Sequence, residues 1–267
     1  MGNKGFRTKK SLGQNFLKDD MVINAIADAT GCSPEDTAIE IGPGLGVLTE
    51  ALSERAKKVV AVELDDRLIP ILKARFALRS NVEIVHEDIL RFDWDKVPVP
   101  ENGALRIAGN LPYYITTPIL LGILEKDVPA SSITVMVQKE VADRIVAKPG
   151  GKDFGVLSVS LQYYAEAEKV LDVPAECFDP RPKVDSAVVV LRLKEKRALK
   201  NEEEAAFFRL VKQAFSQRRK TLSNALTGYK GLQKEDIEKI LLKNGVDPKR
   251  RAETLSVDEY IELSKEI

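Results

Sequence analysis

Residues 37–52 read TAIEIGPGLGVLTEAL, in which a short apolar run, a turn with three glycines and a helical pattern follow one another. Strand, glycine-rich turn and helix in this order are typical of nucleotide-binding α/β folds, because glycine lets the backbone adopt positive φ and approach a ligand closely. The glycines are Gly42, Gly44 and Gly46, a spacing that differs from the Gly-x-Gly-x-x-Gly fingerprint of dinucleotide-binding proteins. The pattern therefore predicts a Rossmann-like α/β sheet that binds something other than a dinucleotide.

A carboxylate stands immediately before this turn, at Glu40. A negative charge at that point repels a pyrophosphate and attracts a ligand that carries a sulfonium and an ammonium group. The turn thus favours S-adenosylmethionine over a nicotinamide cofactor, and we predict that Glu40, Gly42 and Gly44 contact it.

Two further acids end the next two predicted strands. Glu63 closes the run at 58–65, and Asp88 follows the run at 82–86. Ligands bind at the carboxyl edge of open parallel sheets, so three acids at the ends of three successive strands indicate a binding site. We predict that Glu63 accepts from ribose hydroxyls, that Asp88 accepts from the adenine amine of the cofactor, and that Leu64 and Ile89 lie beside them.

The motif Asn110-Leu111-Pro112-Tyr113 follows another predicted strand, at 104–108. Asn110 offers a side-chain carbonyl, Leu111 a backbone carbonyl, and Pro112 a fixed turn that directs both. Tyr113 supplies a ring on which a nucleobase can stack. The combination predicts a site that holds a flat base and polarises its exocyclic amine.

Strands and helices alternate over the first 147 residues, which predicts a parallel sheet with right-handed crossovers. Two apolar runs, at 158–165 and 187–193, then follow without a helix between them and predict antiparallel strands at the sheet edge. After residue 197 only helical patterns remain. We predict one domain over residues 1–197 and a small all-helical domain over 198–267.

Four motifs together resemble the ribosomal RNA adenine dimethyltransferase family. They are Gln14-Asn15-Phe16-Leu17, the segment 40–46, the segment 110–118, and Phe178-Asp179-Pro180-Arg181-Pro182-Lys183-Val184-Asp185-Ser186-Ala187. The resemblance extends from about Gln14 to the basic stretch Arg218-Arg219-Lys220. It implies a seven-stranded, mostly parallel sheet with S-adenosylmethionine as cofactor.

The resemblance also implies roles for individual residues. Asn110 and the carbonyl of Leu111 are expected to accept from the adenine N6 amine, while Tyr113 and Phe178 stack on the two faces of the base. Gln14, Asn15 and Phe16 are expected over the methionine end of the cofactor, and Leu17 is also expected to contact the cofactor. The segment around Phe178 and the basic stretch favour the small-subunit enzymes, which dimethylate two adjacent adenines near the 3′ end of the rRNA, over the large-subunit enzymes of macrolide resistance.

Charge is distributed unevenly although the chain holds 41 basic and 41 acidic residues. No acid occurs between Met1 and Lys18 or between Ala205 and Lys234, and both stretches are basic. Such stretches supply phosphate contacts, so we predict RNA binding by a basic set. Its members are Lys9, Lys10, Arg218, Arg219 and Lys220.

Membrane and metal functions are not indicated. No apolar run approaches the length of about 20 residues that crosses a bilayer, and no signal region follows the basic N-terminus. The two cysteines and one histidine lack the spacing of a metal site. We expect a cytoplasmic monomer without a metal, whose partner is small-subunit rRNA or a small-subunit (30S) assembly intermediate.

Three alternatives compete with a small-subunit dimethyltransferase. One is the large-subunit relative, and another is an RNA-binding assembly factor in which methyl transfer is secondary or absent. A pure binding factor needs none of Glu40, Glu63, Asp88 and Asn110, whose joint presence favours an enzyme. The third, a nicotinamide-dependent oxidoreductase, is disfavoured by the glycine spacing and by the motif at 110–114.

Overall fold

The computed structural model describes residues 14–97 and 99–267. Its strands are β1 Phe16–Leu17, β2 Thr37–Ile41, β3 Lys58–Glu63, β4 Val82–His86, β5 Leu105–Asn110, β6 Ala130–Gln138, β7 Ala165–Val173, β8 Phe178–Asp179 and β9 Ser186–Leu193. Its helices are α1 Asp20–Ala29, α2 Val47–Ser53, α3 Ile69–Arg75, α4 Thr116–Glu125, α5 Lys139–Ile145, α6 Val156–Tyr164, α7 Asn201–Ala214, α8 Leu222–Leu226, α9 Lys234–Lys243 and α10 Val257–Ser264.

The main sheet of the described chain has seven strands in the order β4-β3-β2-β5-β6-β9-β7. The pairs from β4 to β6 are parallel, and β9 pairs with β6 in the antiparallel sense. This confirms the predicted seven-stranded, mostly parallel sheet. The strand order reverses beside β2, where neighbouring crossovers leave in opposite directions, and ligands bind at such a point in open α/β sheets.

Strand β2 lies in the middle of the parallel region and is buried along its whole length. Strands covered on both faces have nearly continuous apolar sequences, which explains the run around Ile39. Ile41 lies opposite Val62 of β3 and Gly109 of β5. The residues that follow β2, β3 and β5 therefore leave the sheet along one edge.

Helix α1 packs on this sheet through an apolar stripe. The side chain of Asp19 accepts hydrogen bonds from the backbone N–H groups of Met21 and Val22, which caps the helix start. Ile23 and Ile26 are buried in a core cluster that also contains Leu52 of α2 and Phe178 of β8.

The structure contradicts the predicted strand at 158–165. Residues 156–164 form helix α6, and the edge strand is β7, which begins at Ala165. The apolar residues at 157, 159, 161 and 163 alternate as in a strand, but nearly every residue of α6 is buried, so the alternation does not report a single exposed face. The hydroxyl of Ser158 accepts from Gly155 N at 3.1 Å and donates to the Arg144 carbonyl, which stabilises the first turn of the helix.

Contacts divide the chain into two compact units. The first joins Met1–Ala142 to Ala167–Leu193, and the second joins Asp143–Glu166 to Lys194–Ile267. The second unit therefore contains α6 in addition to the predicted C-terminal helices α7 to α10, whereas the domain boundary predicted from the sequence placed 143–166 with the sheet. The predicted division into domains 1–197 and 198–267 stays a prediction.

In the second unit, α6 and α7 share an aromatic cluster. The rings of Tyr163 and Phe207 lie 4.7 Å apart, and those of Tyr164 and Phe208 lie 5.7 Å apart and stacked. The carboxylate of Glu204 accepts from both tyrosine hydroxyls, at 3.1 Å from Tyr163 and 2.8 Å from Tyr164. These bonds satisfy the polar ends of rings that are otherwise buried.

Candidate functional site

The first unit contains a cavity at the carboxyl edge of its parallel strands. Every predicted cofactor residue and three of the four predicted catalytic residues line it: Gln14, Asn15, Leu17, Glu40, Gly42, Gly44, Glu63, Leu64, Asp88, Ile89, Asn110, Leu111 and Tyr113. Segments far apart in sequence thus converge on one space.

The glycine-rich turn forms one wall of the cavity. Gly42 has φ +65° and Gly44 has φ +60°, values that residues with a Cβ rarely adopt. A Cβ on Gly44 would lie 3.1 Å from the ring of Phe16, whereas a Cβ on Gly42 would meet no described atom within 4 Å. Glycine is therefore required at 42 by the backbone conformation and at 44 by conformation and space together.

Glu40 brings a carboxylate to this wall. The residue is 2% exposed, and its Oε2 accepts no hydrogen bond from any residue that the structure describes. Burial raises the pKa of Glu40 to about 8; the nearby Thr49 hydroxyl opposes the shift, and the charge of Glu63 adds to it. A buried acceptor without a partner is costly in a folded protein, so its presence here indicates a ligand with hydrogen-bond donors or positive charge.

Glu63 stands at the end of β3 and is tied to the turn. Its Oε2 accepts from Gly44 N at 3.1 Å, and its Oε1 accepts from Asp65 N at 2.8 Å. Burial raises the pKa of Glu63, and the backbone donors oppose the shift. Each carboxylate oxygen has a second lone pair, so the group can still accept from two ligand hydroxyls.

Asp88 and its neighbours form the wall beyond β4. The Oδ1 of Asp88 accepts from Leu90 N at 3.0 Å, a local bond that holds the carboxylate in place. Ile89 is 9% exposed and Leu64 is 50% exposed, and both line the cavity. Two aliphatic side chains beside a carboxylate suit a flat heterocycle that carries an amine.

Asn110 ends β5 and faces the same space. Its Nδ2 donates to the carbonyl of Asn15 at 3.1 Å. Leu111 is 1% exposed, and its N–H donates to the Met136 carbonyl at 3.1 Å, which ties the backbone at this point to the adjoining strand. The motif therefore has a fixed backbone and an oriented amide.

Tyr113 is held through its hydroxyl, which lies 2.7 Å from Ser186 Oγ at the start of β9. Burial raises the pKa of Tyr113, so its hydroxyl stays neutral at ordinary pH. Tyr114 also lines the cavity and is 60% exposed. The two adjacent rings thus differ, since one is anchored and the other is accessible.

Phe178 does not line the cavity. It is 2% exposed, and it packs in the core cluster with Leu17, Ile23 and Ile26. Its strand, β8, pairs with β1, and Leu17 lies opposite Phe178. Its ring packs against β1 and α1, next to the segment that contains Asn15, and its stacking on a base stays a prediction.

The predicted basic residues fall in two places. Lys9 and Lys10 lie outside the described residues. Arg218, Arg219 and Lys220 are exposed in the second unit, before α8, and the guanidinium of Arg218 donates to the carbonyl of Lys152. The stretch therefore presents charge to solvent, as a phosphate-binding surface requires.

Sequence reasoning missed Asp65, Arg67 and Ser186. Asp65 Oδ2 accepts from Gln14 Nε2 at 2.9 Å, and its Oδ1 accepts from Arg67 Nε at 2.9 Å. The side chain of Asp65 is fully buried. An acid two residues after Glu63 was visible in the sequence, but its partner Gln14 lies 51 residues away and no local pattern connects them.

Two kinds of site are not found in the part of the chain that the structure describes. No group of three or more histidine, cysteine and acidic side chains is placed to hold a metal ion. Across residues 14–97 and 99–267, no helix combines the length and the apolar character that a membrane crossing needs.

Comparison with known proteins links this geometry to a family. Residues 5–267 match the family model described as ribosomal RNA adenine dimethylase. Proteins named ribosomal RNA small subunit methyltransferase A are similar over 97% of this chain and 91% of their own length, with 49% identity in Bacillus mycoides and 48% in a Geobacillus species.

Two solved structures are also similar. A dimethyladenosine transferase from Plasmodium falciparum has a TM-score of 0.81 at 26% identity, covering 93% of this chain and 95% of its own. The 23S rRNA methyltransferase ErmE has a TM-score of 0.72 at 28% identity, covering 94% of this chain and 98% of its own.

Proposed function

Since the chain belongs to the ribosomal RNA adenine dimethylase family, we propose that it transfers methyl groups from S-adenosylmethionine to N6 of two adjacent adenines near the 3′ end of small-subunit rRNA. The product is N6,N6-dimethyladenosine, formed during ribosome assembly in the cytoplasm. The observation that carries the proposal is the convergence of the Asn110 amide with the acids Glu40, Glu63 and Asp88 in one cavity.

The cavity fits the proposed cofactor. Oε2 of Glu40 is buried without a described partner and would accept from the ammonium group of the methionine moiety. Glu63 has lone pairs left for the ribose hydroxyls, and Asp88, with Leu64 and Ile89 beside it, suits the adenine. When bound, S-adenosylmethionine supplies an electrophilic methyl group on a sulfonium.

Asn110 and Leu111 activate the acceptor amine. The lone pair of an adenine amine is delocalised into the ring, and two carbonyl acceptors that draw its hydrogens out of the plane make the lone pair available. The Asn110 amide is oriented by its bond to the Asn15 carbonyl, and the backbone at Leu111 is tied to β6 through its N–H, so little reorganisation accompanies the reaction. Their contribution grows as positive charge develops on nitrogen in the transition state.

Tyr113 holds the extruded base. Its ring lines the cavity next to the amide, and the bond to Ser186 holds the hydroxyl end of the ring in place. Stacking on an aromatic face contributes about 1–3 kcal/mol per base and repays part of the cost of unstacking. Positioning then supplies most of the rate acceleration, since methyl transfer to an amine needs no base of raised pKa.

The small subunit is favoured over the large subunit as substrate. The relatives named for the small subunit are 48–49% identical to this chain, whereas the 23S rRNA enzyme ErmE is 28% identical. The exposed stretch Arg218-Arg219-Lys220 supports contact with a polyanion. We propose that these residues, with Lys9 and Lys10, bind phosphates of the rRNA.

The test is transfer of labelled methyl groups from S-adenosylmethionine to separated, undermethylated small and large ribosomal subunits, followed by identification of the nucleoside by mass. We expect N6,N6-dimethyladenosine in the small subunit and much slower transfer by Asn110→Ala. Label in the large subunit would contradict the substrate assignment. Cofactor binding without transfer to either subunit, including assembly intermediates, would indicate an RNA-binding assembly factor.

A further inference from the structure

A chain of hydrogen bonds connects the end of β3 to the amide of Asn110. Asp65 accepts from Gln14 Nε2 at 2.9 Å, Gln14 precedes Asn15, and the Asn15 carbonyl accepts from Asn110 Nδ2 at 3.1 Å. The two bonds bridge 51 and 95 residues of sequence. The segment 14–15 thus lies between a buried carboxylate and the amide that faces the cavity.

The bond to Asn15 selects one of the two orientations of the Asn110 amide. A carbonyl can only accept, so rotation of the amide by half a turn would place Oδ1 against the Asn15 carbonyl and bring two acceptors together. Nδ2 is therefore held toward Asn15, and Oδ1 is the atom left for a ligand. The reaction proposed above needs that oxygen as an acceptor, so the position of the Asn15 carbonyl determines whether the amide is oriented for it.

Asp65 is built as a fixed anchor for this segment. Its side chain is completely buried, and Arg67 binds it through Nε at 2.9 Å to Oδ1, through a second bond to Oδ2 at 2.5 Å, and through the backbone N–H at 3.2 Å. A bidentate guanidinium fixes the plane of a carboxylate more rigidly than a single bond does. Oδ2 is then aimed at Gln14 before any ligand enters.

We propose that Asp65, held by Arg67, is a positioning residue for the methyl-transfer reaction, which acts through Gln14 and the Asn15 carbonyl to orient the Asn110 amide. The inference rests on the proposed function, because it assigns Asp65 to the same site. It differs from a cofactor-binding role, since Asp65 does not line the cavity whereas Gln14, Asn15 and Asn110 do.

The kinetic test uses Asp65→Ala, with single-turnover methyl transfer at saturating cofactor and small subunits. Loss of the anchor should lower the rate by about 10- to 100-fold, the size expected when a reacting group is misplaced by a distant substitution. Cofactor affinity, measured by calorimetry, should change by less than about threefold. Asp65→Asn keeps an oxygen that can accept from Gln14 and should recover part of the rate.

A double-mutant cycle with Asn110→Ala separates indirect from direct action. If Asp65 acts through Asn110, the double variant is no slower than Asn110→Ala alone. Multiplied losses in the double variant, or a fall in cofactor affinity as large as the fall in rate, would overturn the positioning role.

Asp36→Ala is the matched control. Asp36 is also a buried acid paired with an arginine, with 3.4 Å between its Oδ2 and Arg106 Nε, but it precedes β2 and lies away from the carboxyl edge. Asp36→Ala should lower the midpoint of thermal unfolding and leave the single-turnover rate of the folded enzyme unchanged. An equal fall in rate in both variants would mean that general destabilisation explains the loss.

A substrate-free measurement separates this inference from the proposed function. Hydrogen exchange of the Asn110 side-chain NH2, observed by NMR with 15N-asparagine and assigned by its absence in Asn110→Ala, should be slow in the wild type. It should be fast in Asp65→Ala and slow in Asp36→Ala. Unchanged exchange in Asp65→Ala overturns the inference whatever the enzyme methylates, whereas faster exchange supports it even if no subunit accepts methyl groups.

Discussion

Two largely buried glutamates, one in each unit of the molecule, serve opposite purposes. Glu40 lies in the first unit, which contains the main sheet and is called the sheet unit below. It is 2% exposed, and its Oε2 has no partner among the described residues. Glu204 lies in the second unit, called the helical unit below, and its side chain is 13% exposed. Its carboxylate accepts hydrogen bonds from Tyr163, Tyr164 and Arg197, the last at 3.0 Å. The same side chain is thus left unsatisfied in one region and saturated in the other.

The difference separates a binding group from a structural one. A carboxylate whose oxygens are already bonded contributes to the packing of the helices around it and has little capacity left for a ligand. A carboxylate buried without donors destabilises the protein until a ligand supplies them. The unsatisfied glutamate therefore identifies the functional region.

The largest expected effect is the change in the free energy of unfolding that Glu40→Gln causes. Because the folded pKa of Glu40, about 8, lies above its usual value of 4.5, its contribution to stability is complete below pH 4.5 and is lost as the pH rises through 8. The neutral variant avoids this loss. Its free energy of unfolding without ligand should match the wild type at pH 4.5 and exceed it at pH 9 by on the order of 4 kcal/mol.

The same variant should bind the cofactor about 10- to 100-fold more weakly, since a charge-assisted bond to the ammonium group is lost. Chemical denaturation across the pH range and calorimetric titration with S-adenosylmethionine measure the two effects. Glu204→Gln, the identical chemical change, serves as the control and should lower stability. A Glu40 variant that is less stable than the wild type at pH 9 would contradict the comparison.

Within the sheet unit, Asn110→Ala should separate turnover from binding. Removing one preorganised acceptor of a polar transition state costs about 100- to 1,000-fold in rate. Cofactor affinity should change far less, because the acids Glu40, Glu63 and Asp88 remain. Single-turnover transfer measures the rate, and calorimetry measures the affinity for the cofactor. Equal losses of rate and of affinity would contradict a catalytic role of Asn110.

In the helical unit, Glu204→Ala should affect stability alone. The substitution leaves the hydroxyls of Tyr163 and Tyr164 and the guanidinium of Arg197 without their shared acceptor, which should cost roughly 2–4 kcal/mol of unfolding free energy. Urea denaturation measures this cost. Cofactor affinity of the folded variant should equal that of the wild type, and a tenfold loss would show that the cluster also serves binding.

The contribution of the exposed basic residues of the helical unit to RNA affinity should depend on the salt concentration. Replacing Arg218, Arg219 and Lys220 by alanine should weaken RNA binding and reduce the slope of log affinity against log salt by about 2 to 3. A variant of the exposed lysines on α9, Lys234, Lys239 and Lys243, removes the same charge and serves as the control. Equal slopes in both variants would place the phosphate contacts elsewhere.

The smallest effect is expected from Ser186→Ala, which removes the 2.7 Å contact to the Tyr113 hydroxyl. A lost hydrogen bond of this kind costs about 1 kcal/mol, or roughly fivefold in the rate at limiting RNA. Tyr113→Phe breaks the same contact and leaves the fully buried hydroxyl of Ser186 unpaired, so it should cost at least as much. A double variant as slow as the product of the two single effects would show that Ser186 and Tyr113 act separately.

Much of the sheet was predictable because its signals are local. The apolar run at β2, the glycines after it and the motif at 110–113 each report a strand end or a turn within a few residues. Parallel strands must share a carboxyl edge, so the acids and the amide could be expected to meet there. The cavity confirms that they do.

The prediction that failed, a strand at 158–165, depended on burial that no local pattern reports. Helix α6 has an alternating sequence, but it is covered on nearly all sides, so its periodicity carries no information about its conformation. Phe178 lies in a motif of functional appearance, yet its side chain fills the core beneath β1. Whether such a side chain is buried depends on the segments that pack around it, which its own local sequence does not show.

The sequence alone determined the class of fold, the ligand-binding edge and the residues that stand there, because glycine conformation, strand periodicity and the direction of parallel strands act over short distances. Only the tertiary structure decided that Oε2 of Glu40 has no hydrogen-bond donor among the described residues, that Asp65 reaches Gln14, and that Asn15 orients Asn110. Those facts depend on which segments pack side by side across 50 to 100 residues of chain. Hydrogen-bond partners over such separations are set by topology and packing, which leave no repeat or motif in the sequence.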